Sequence, residues 1–349
     1  MADEPAGATE ERRRFASHLP ALAAHLAAAG LIQPGSDLAI ERVFEAGQSN
    51  PTYLLAAKGC RFVLRKQPYG HLLPRAHDVL REHAIVEALH AAGLAVPRPL
   101  LAGRDRAVIG TDFAVMAFVP GAVYSNPALP GLTPEARTKV YDALATGLAD
   151  LHAVDPQILQ AAGIKMRTGF VARQVATWRA AYLASETQPD GRVGEVADWL
   201  IDHVPAAEGV GIVHGDYRIE NVIFDGARLA AILDWELCTI GEPMADLAYC
   251  CLWYHMPPEV LNGLADLDLA GSGIPTEARF LEVYERSGGI DARPTHAYFL
   301  SFAFFRLAAI LQGVYRRALD GNAASPQALS RGDAARFCLD RAARFAERA

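Results

Sequence analysis

Residues 212–236 read Ile-Val-His-Gly-Asp-Tyr-Arg-Ile-Glu-Asn-Val-Ile-Phe-Asp-Gly-Ala-Arg-Leu-Ala-Ala-Ile-Leu-Asp-Trp-Glu. Asp216, Asn221 and Asp234 stand out as polar residues among apolar neighbours. Val222–Phe224 and Leu229–Leu233 have the composition of two short strands, and Asp225-Gly226 between them signals a hairpin. Such a hairpin returns Asp234 to the side of Asn221, with Asp216 just upstream on a loop. Two carboxylates and an amide so placed suit phosphoryl transfer from ATP. One carboxylate takes the proton of an attacking hydroxyl. The amide oxygen and the other carboxylate hold Mg2+, a hard cation that prefers oxygen.

The spacing His-x-Asp-x-x-x-x-Asn, followed by an aspartate beyond a hairpin, resembles the catalytic and metal-binding segments of the protein-kinase-like fold. His214-Gly-Asp in place of His-Arg-Asp is similar to the aminoglycoside phosphotransferase family. The longer set His214-Gly-Asp-Tyr-Arg, Leu233-Asp-Trp-Glu and Ala245-Asp-Leu-Ala resembles a subgroup found alone in bacteria or fused to acyl-CoA dehydrogenases. The resemblance implies Asp216 as catalytic base and Asn221 and Asp234 as magnesium ligands. Arg218 then neutralises charge during transfer. His214 and Asp246 would support the loop. Glu236 has two open readings, a metal or substrate contact and a surface acid.

These groups must be positioned by the rest of the chain. Three candidate strands, Leu38–Glu45, Thr52–Ala57 and Arg61–Lys66, precede a helix over His77–Ala92. Two more strands follow, Leu100–Ala102 and Phe113–Phe118. By resemblance, the turn carrying Ser49 and Asn50 covers the ATP phosphates. Arg65, which shares a face with Val63, pairs with Glu82 and reaches the phosphates, with Lys66 as the fallback. Met116 lines the adenine pocket, and backbone groups of Ala117, Phe118 and Val119 bind the base. Pro120-Gly121 breaks the chain, and helices dominate afterwards, from Thr133 onward. The expected fold is α+β and bilobal, protein-kinase-like. Residues 1–117 form a lobe with an antiparallel sheet and a helix, and 118–349 form a larger helical lobe.

Composition narrows the function classes. The 349 residues, 51% hydrophobic, can bury one large core or two lobes. A net charge of −7 argues against a nucleic-acid partner. Five cysteines without metal-like spacing, and an acidic start without a signal pattern, lead to the expectation of a cytoplasmic protein. His296–Val314 is the most apolar long stretch. Arg306 interrupts it, so it reads as a buried helix and no membrane partner is expected. Asp234 and Asp246 are only twelve residues apart, which leaves little chain for a peptide-docking platform. The expected activity is ATP- and Mg2+-dependent phosphorylation of a small-molecule hydroxyl. The fused relatives suggest a hydroxyacyl-CoA or related metabolite over an aminoglycoside. The competing reading is a nucleotide-binding pseudokinase with a regulatory role.

Overall fold

The structure, a computed structural model, describes residues 6–44, 50–69, 77–206, 209–321 and 326–349. The chain divides into two compact units, Met1–Pro120 and Gly121–Ala349.

The first unit holds helices α1 (Ala6–Ser17) and α2 (Leu19–Ala28), strands β1 (Ala39–Phe44), β2 (Thr52–Ala57) and β3 (Cys60–Lys66), helix α3 (Val79–Ala91), strand β4 (Pro99–Gly103), the short helix α4 (Arg106–Ile109) and strand β5 (Phe113–Ala117). The strands form one antiparallel sheet in the order β1-β2-β3-β5-β4. Phe15, Leu22 and Leu26 from the two leading helices bury against Tyr53, Leu55, Leu64 and Val115 of the sheet. The leading Ala-rich segment is helical from Ala6 and is broken into two helices between Ser17 and Leu19. Pro20 is the cause of the break: its ring is excluded from a helix interior but fits the first turn, where it begins α2. Asp78 caps α3 by accepting from Arg81 N at 2.9 Å.

The second unit begins with α5 (Pro134–Ala153), α6 (Gln157–Ala161), α7 (Phe170–Ser185) and α8 (Arg192–Asp202). Thr133 caps α5, with Pro134 at its first position. Four short strands follow, β6 (Gly211–Val213), β7 (Val222–Asp225), β8 (Arg228–Ile232) and β9 (Thr239–Gly241). They pair antiparallel as β7-β8 and β6-β9. The β7-β8 hairpin is shifted by one residue from expectation: Asp225 pairs with Arg228, so Gly226-Ala227 forms the turn. The unit closes with α9 (Met244–Cys251), α10 (Pro258–Leu261), α11 (Glu277–Arg286), α12 (His296–Leu319) and α13 (Arg331–Ala346). Beyond Cys251 the chain tightens into a 3-10 turn at Leu252–His255.

α12 is the central element of this core. Phe299, Phe302, Phe304 and Phe305 are buried along it, against α7, α9 and α13. Among the described residues it is the one helix long and apolar enough to cross a membrane, and 78% of that apolar window is buried inside the protein.

Candidate active site

The loop between β6 and β7 is shaped from below by Asp246, in the first turn of α9. Its carboxylate is fully buried and accepts from the backbone N–H groups of His214 and Gly215, the latter at 2.8 Å. His152 of α5 lies 3.8 Å from the same carboxylate and meets the Tyr284 hydroxyl at 2.8 Å. Burial alone would raise the Asp246 pKa. The neighbouring imidazoles of His152 and then His214, with the Gly215 N–H, more than offset it and hold the carboxyl below the usual aspartate range.

Gly215 has φ +86°, and a Cβ there would stand 2.9 Å from the Leu237 carbonyl oxygen. The small residue between histidine and aspartate is therefore a steric requirement. His214 joins the two halves of the site: Nε2 is 2.8 Å from Leu233 O, and Nδ1 accepts from Asp216 N at 3.1 Å.

Asn221 aligns the two chemical ends. Its Nδ2 donates to Asp216 Oδ2 at 2.7 Å and to Asp216 O at 2.9 Å. Its own carbonyl accepts from Leu233 N at 2.8 Å, so the hairpin sets Asp234 beside it. Asp234 takes the left-handed conformation, φ +65° and ψ +66°. That is an uncommon state for a non-glycine residue and one that functional sites collect. Asp216, Asn221 and Asp234 are all half-buried. Both side-chain bonds of Asn221 use its nitrogen, which leaves Oδ1 as an acceptor. With the carboxylates this makes an all-oxygen donor set, the kind Mg2+ requires.

Arg218 Nε stands 3.4 Å from Asp216 Oδ2, and its Nη1 pairs with Glu220. Burial would lower its pKa, but Asp216 first, then Tyr249, Glu220 and Asp234, raise it, so the guanidinium stays charged. Two contributors were not singled out in the sequence reading. Tyr249 is buried near Asp216, and its hydroxyl pKa is raised by burial and then by the Asp216 charge. Buried Arg306 donates to Gly215 O and lies over the rings of Tyr249 and Trp178. A lone arginine in the most apolar stretch of the chain was the available signal for the second. Tyr249 offered none.

In the first unit, Arg65 Nη1 lies 3.0 Å from Glu82 Oε1, both largely buried. Lys66 points the other way, donating to Gln67 O at 3.0 Å with its ammonium over the Tyr69 ring. Met116 lines a small pocket with Arg65, Glu82, Pro99 and Ala114. The N–H groups of Ala117 and Phe118 are engaged by Arg98 O and Arg61 O, which leaves Val119 as the remaining donor of that segment. Asn50 is buried, with Oδ1 3.2 Å from His77 Nδ1. Ser49 lies outside the described residues.

The profile of the phosphotransferase enzyme family matches residues 41–294. The chain belongs to this family. A proposed aminoglycoside phosphotransferase from Ralstonia eutropha is 35% identical and superposes with a TM-score of 0.83, covering 94% of this chain and 98% of that one. Acyl-CoA dehydrogenase family member 10 from Mus musculus is 41% identical over 83% of this chain, which spans 27% of the mouse protein. The ternary complex of a thermostable APH(4)-Ia mutant with AMP-PNP and hygromycin B is 17% identical, with a TM-score of 0.61 over 94% of this chain and 98% of that one. This phosphotransferase accordingly has the kinase-like α+β fold and is a small-molecule kinase.

Proposed function

We propose that this phosphotransferase moves the γ-phosphate of ATP to a hydroxyl of a small metabolite, with Asp216 as the base. The observation that carries this reading is the Asp216–Asn221–Leu233 chain of hydrogen bonds. The Asn221 side-chain amide orients the base, and its backbone carbonyl, accepting from Leu233 N, brings Asp234 to the place where oxygen ligands are needed. Asp216 takes the acceptor's hydroxyl proton as that oxygen bonds the γ-phosphorus. The bond to the β,γ-bridging oxygen breaks and ADP leaves.

Asn221 Oδ1 and the Asp234 carboxylate would hold Mg2+, which when bound neutralises the phosphate oxygens. Arg218 supplies a fixed positive charge beside the transferring group. Arg65, steadied by Glu82, contacts the donor phosphates, aided by Ser49 and Asn50. The Met116–Val119 segment takes the adenine.

The acceptor is small because residues 235–243 are consumed by a 3-10 turn, strand β9 and the approach to α9. No length of chain remains there to dock a peptide. Its class is a hydroxyacyl-CoA or a related metabolite, a reading supported by the 41% identity to a protein named for acyl-CoA dehydrogenation. Transfer from γ-labelled Mg·ATP to a panel of hydroxyacyl-CoAs and aminoglycosides tests both points. Label on an acyl-CoA is the expected result. Label only on aminoglycosides would overturn the substrate class. ATP binding with no transfer to any acceptor would favour a regulatory module.

A further inference from the structure

The far end of α9 meets the first turns of α11 and α12. Cys251 ends α9, Glu277 opens α11 and His296 opens α12. Their sulfur, carboxylate oxygen and ring nitrogen all lie within 4.8 Å of one another. Glu277 Oε1 is 2.8 Å from His296 Nε2, and His255 Nε2 stands 3.0 Å from Oε1 and 2.9 Å from Oε2.

A His-Glu-His tie would account for the carboxylate. It does not account for the thiol against it, nor for two buried atoms left over. His296 Nδ1 and the Tyr254 hydroxyl are buried and have no hydrogen-bond partner among the described residues. Tyr254 lies three residues beyond Cys251, and burial raises the pKa of its hydroxyl, with Tyr141, Cys251, Cys250 and Glu277 acting in the same direction. Buried polar groups without partners are uncommon, and an ion or water is a usual reason for them.

We propose that Cys251, Glu277 and His296 bind one divalent cation of the zinc class, with His255 hydrogen-bonding the same carboxylate. A sulfur, nitrogen and oxygen donor set suits zinc or cobalt and is wrong for magnesium or calcium. Three protein ligands leave a fourth position for water, which would give the Tyr254 hydroxyl a partner. The outer hydrogen bond from His255 is the kind that orients a ligating carboxylate. On binding, Cys251 enters as thiolate and its proton goes to solvent. The role is structural: the cation joins α11 and α12 to the end of α9, the helix whose first turn carries Asp246.

The test is a Co2+ titration of the full chain after EDTA treatment, read in the near ultraviolet. A stoichiometric thiolate-to-cobalt charge-transfer band is expected. It should vanish in Cys251→Ser and survive in Cys250→Ser, whose buried thiol is outside the trio. The magnesium ligands proposed above include no sulfur, so cobalt bound there cannot produce the band. His296→Gln should weaken cobalt binding by at least about tenfold, the scale that even an outer partner contributes. Zinc should raise the wild-type Tm in a concentration-dependent way. No band in the wild type, or a band that persists in folded Cys251→Ser, overturns the site. If Cys251→Ser fails to fold, loss of the band in Cys250→Ser, or an unchanged affinity in His296→Gln, overturns it equally.

Discussion

Asp246 and Asp216 belong to the same unit and support the same loop, yet the fold treats them in opposite ways. Asp246 is sealed from solvent, accepts from two backbone N–H groups and stands beside His152. Asp216 is half-buried, accepts from Asn221 Nδ2 and lies beside a charged arginine. A carboxylate saturated by backbone donors fixes geometry, because moving it would strand those donors. A carboxylate held from one side keeps an oxygen surface for a substrate proton. Residue type is the same in both; burial and the number of donors decide which task each performs.

Four substitutions and a pH series can break or sharpen this contrast. The largest effect is expected from Asp216→Asn, which should lower kcat by roughly 10²–10⁴ while leaving Tm nearly unchanged. Asp246→Ala should instead cost about 3–5 kcal/mol of stability, measured by urea unfolding, because it breaks a buried charged network. The pH series follows from the same group. Its folded pKa is depressed, so its contribution is present at neutral pH. That contribution is lost as pH falls below the ordinary aspartate value of 3.8. Asp246→Asn should therefore flatten the stability profile in that acid range. Gly215→Ala, which forces a side chain into a φ of +86° against Leu237, should cost about 1–3 kcal/mol and reduce turnover as well.

Glu82→Gln, in the other unit, should raise KM for ATP about tenfold through loss of one charge-assisted bond to Arg65. Its kcat should change less than in Asp216→Asn. A result in which Asp216→Asn destabilised as much as Asp246→Ala would erase the distinction between the two aspartates.

The loop was legible in the sequence because its parts are local: a strand, a turn with one glycine, a hairpin and the aspartates Asp216, Asp234 and Asp246, the last 32 residues from His214. The α+β class was legible too, since β2 has the expected bounds and β3 starts only one residue early. The β6-β9 pair was not, because three-residue strands carry no usable alternation. The break between α1 and α2 was not legible, because a proline at residue 20 reads equally as an interruption or as the start of a new helix. Arg306, Tyr249 and His152 were missed as loop supports because their contacts are made across the fold, not along the chain. Arg306 reaches Gly215 from 91 residues away. The same holds for Cys251, Glu277 and His296, which share no motif spacing and meet only through helix packing.

The most direct test of the central claim measures Asp216→Asn and Asp246→Asn side by side, each for single-turnover transfer from Mg·ATP and for Tm. The account predicts that Asp216→Asn keeps its Tm and loses transfer. Asp246→Asn should lose Tm, and at a temperature where it remains folded it should retain more transfer than Asp216→Asn. Full transfer by folded Asp216→Asn would contradict the assignment of the base.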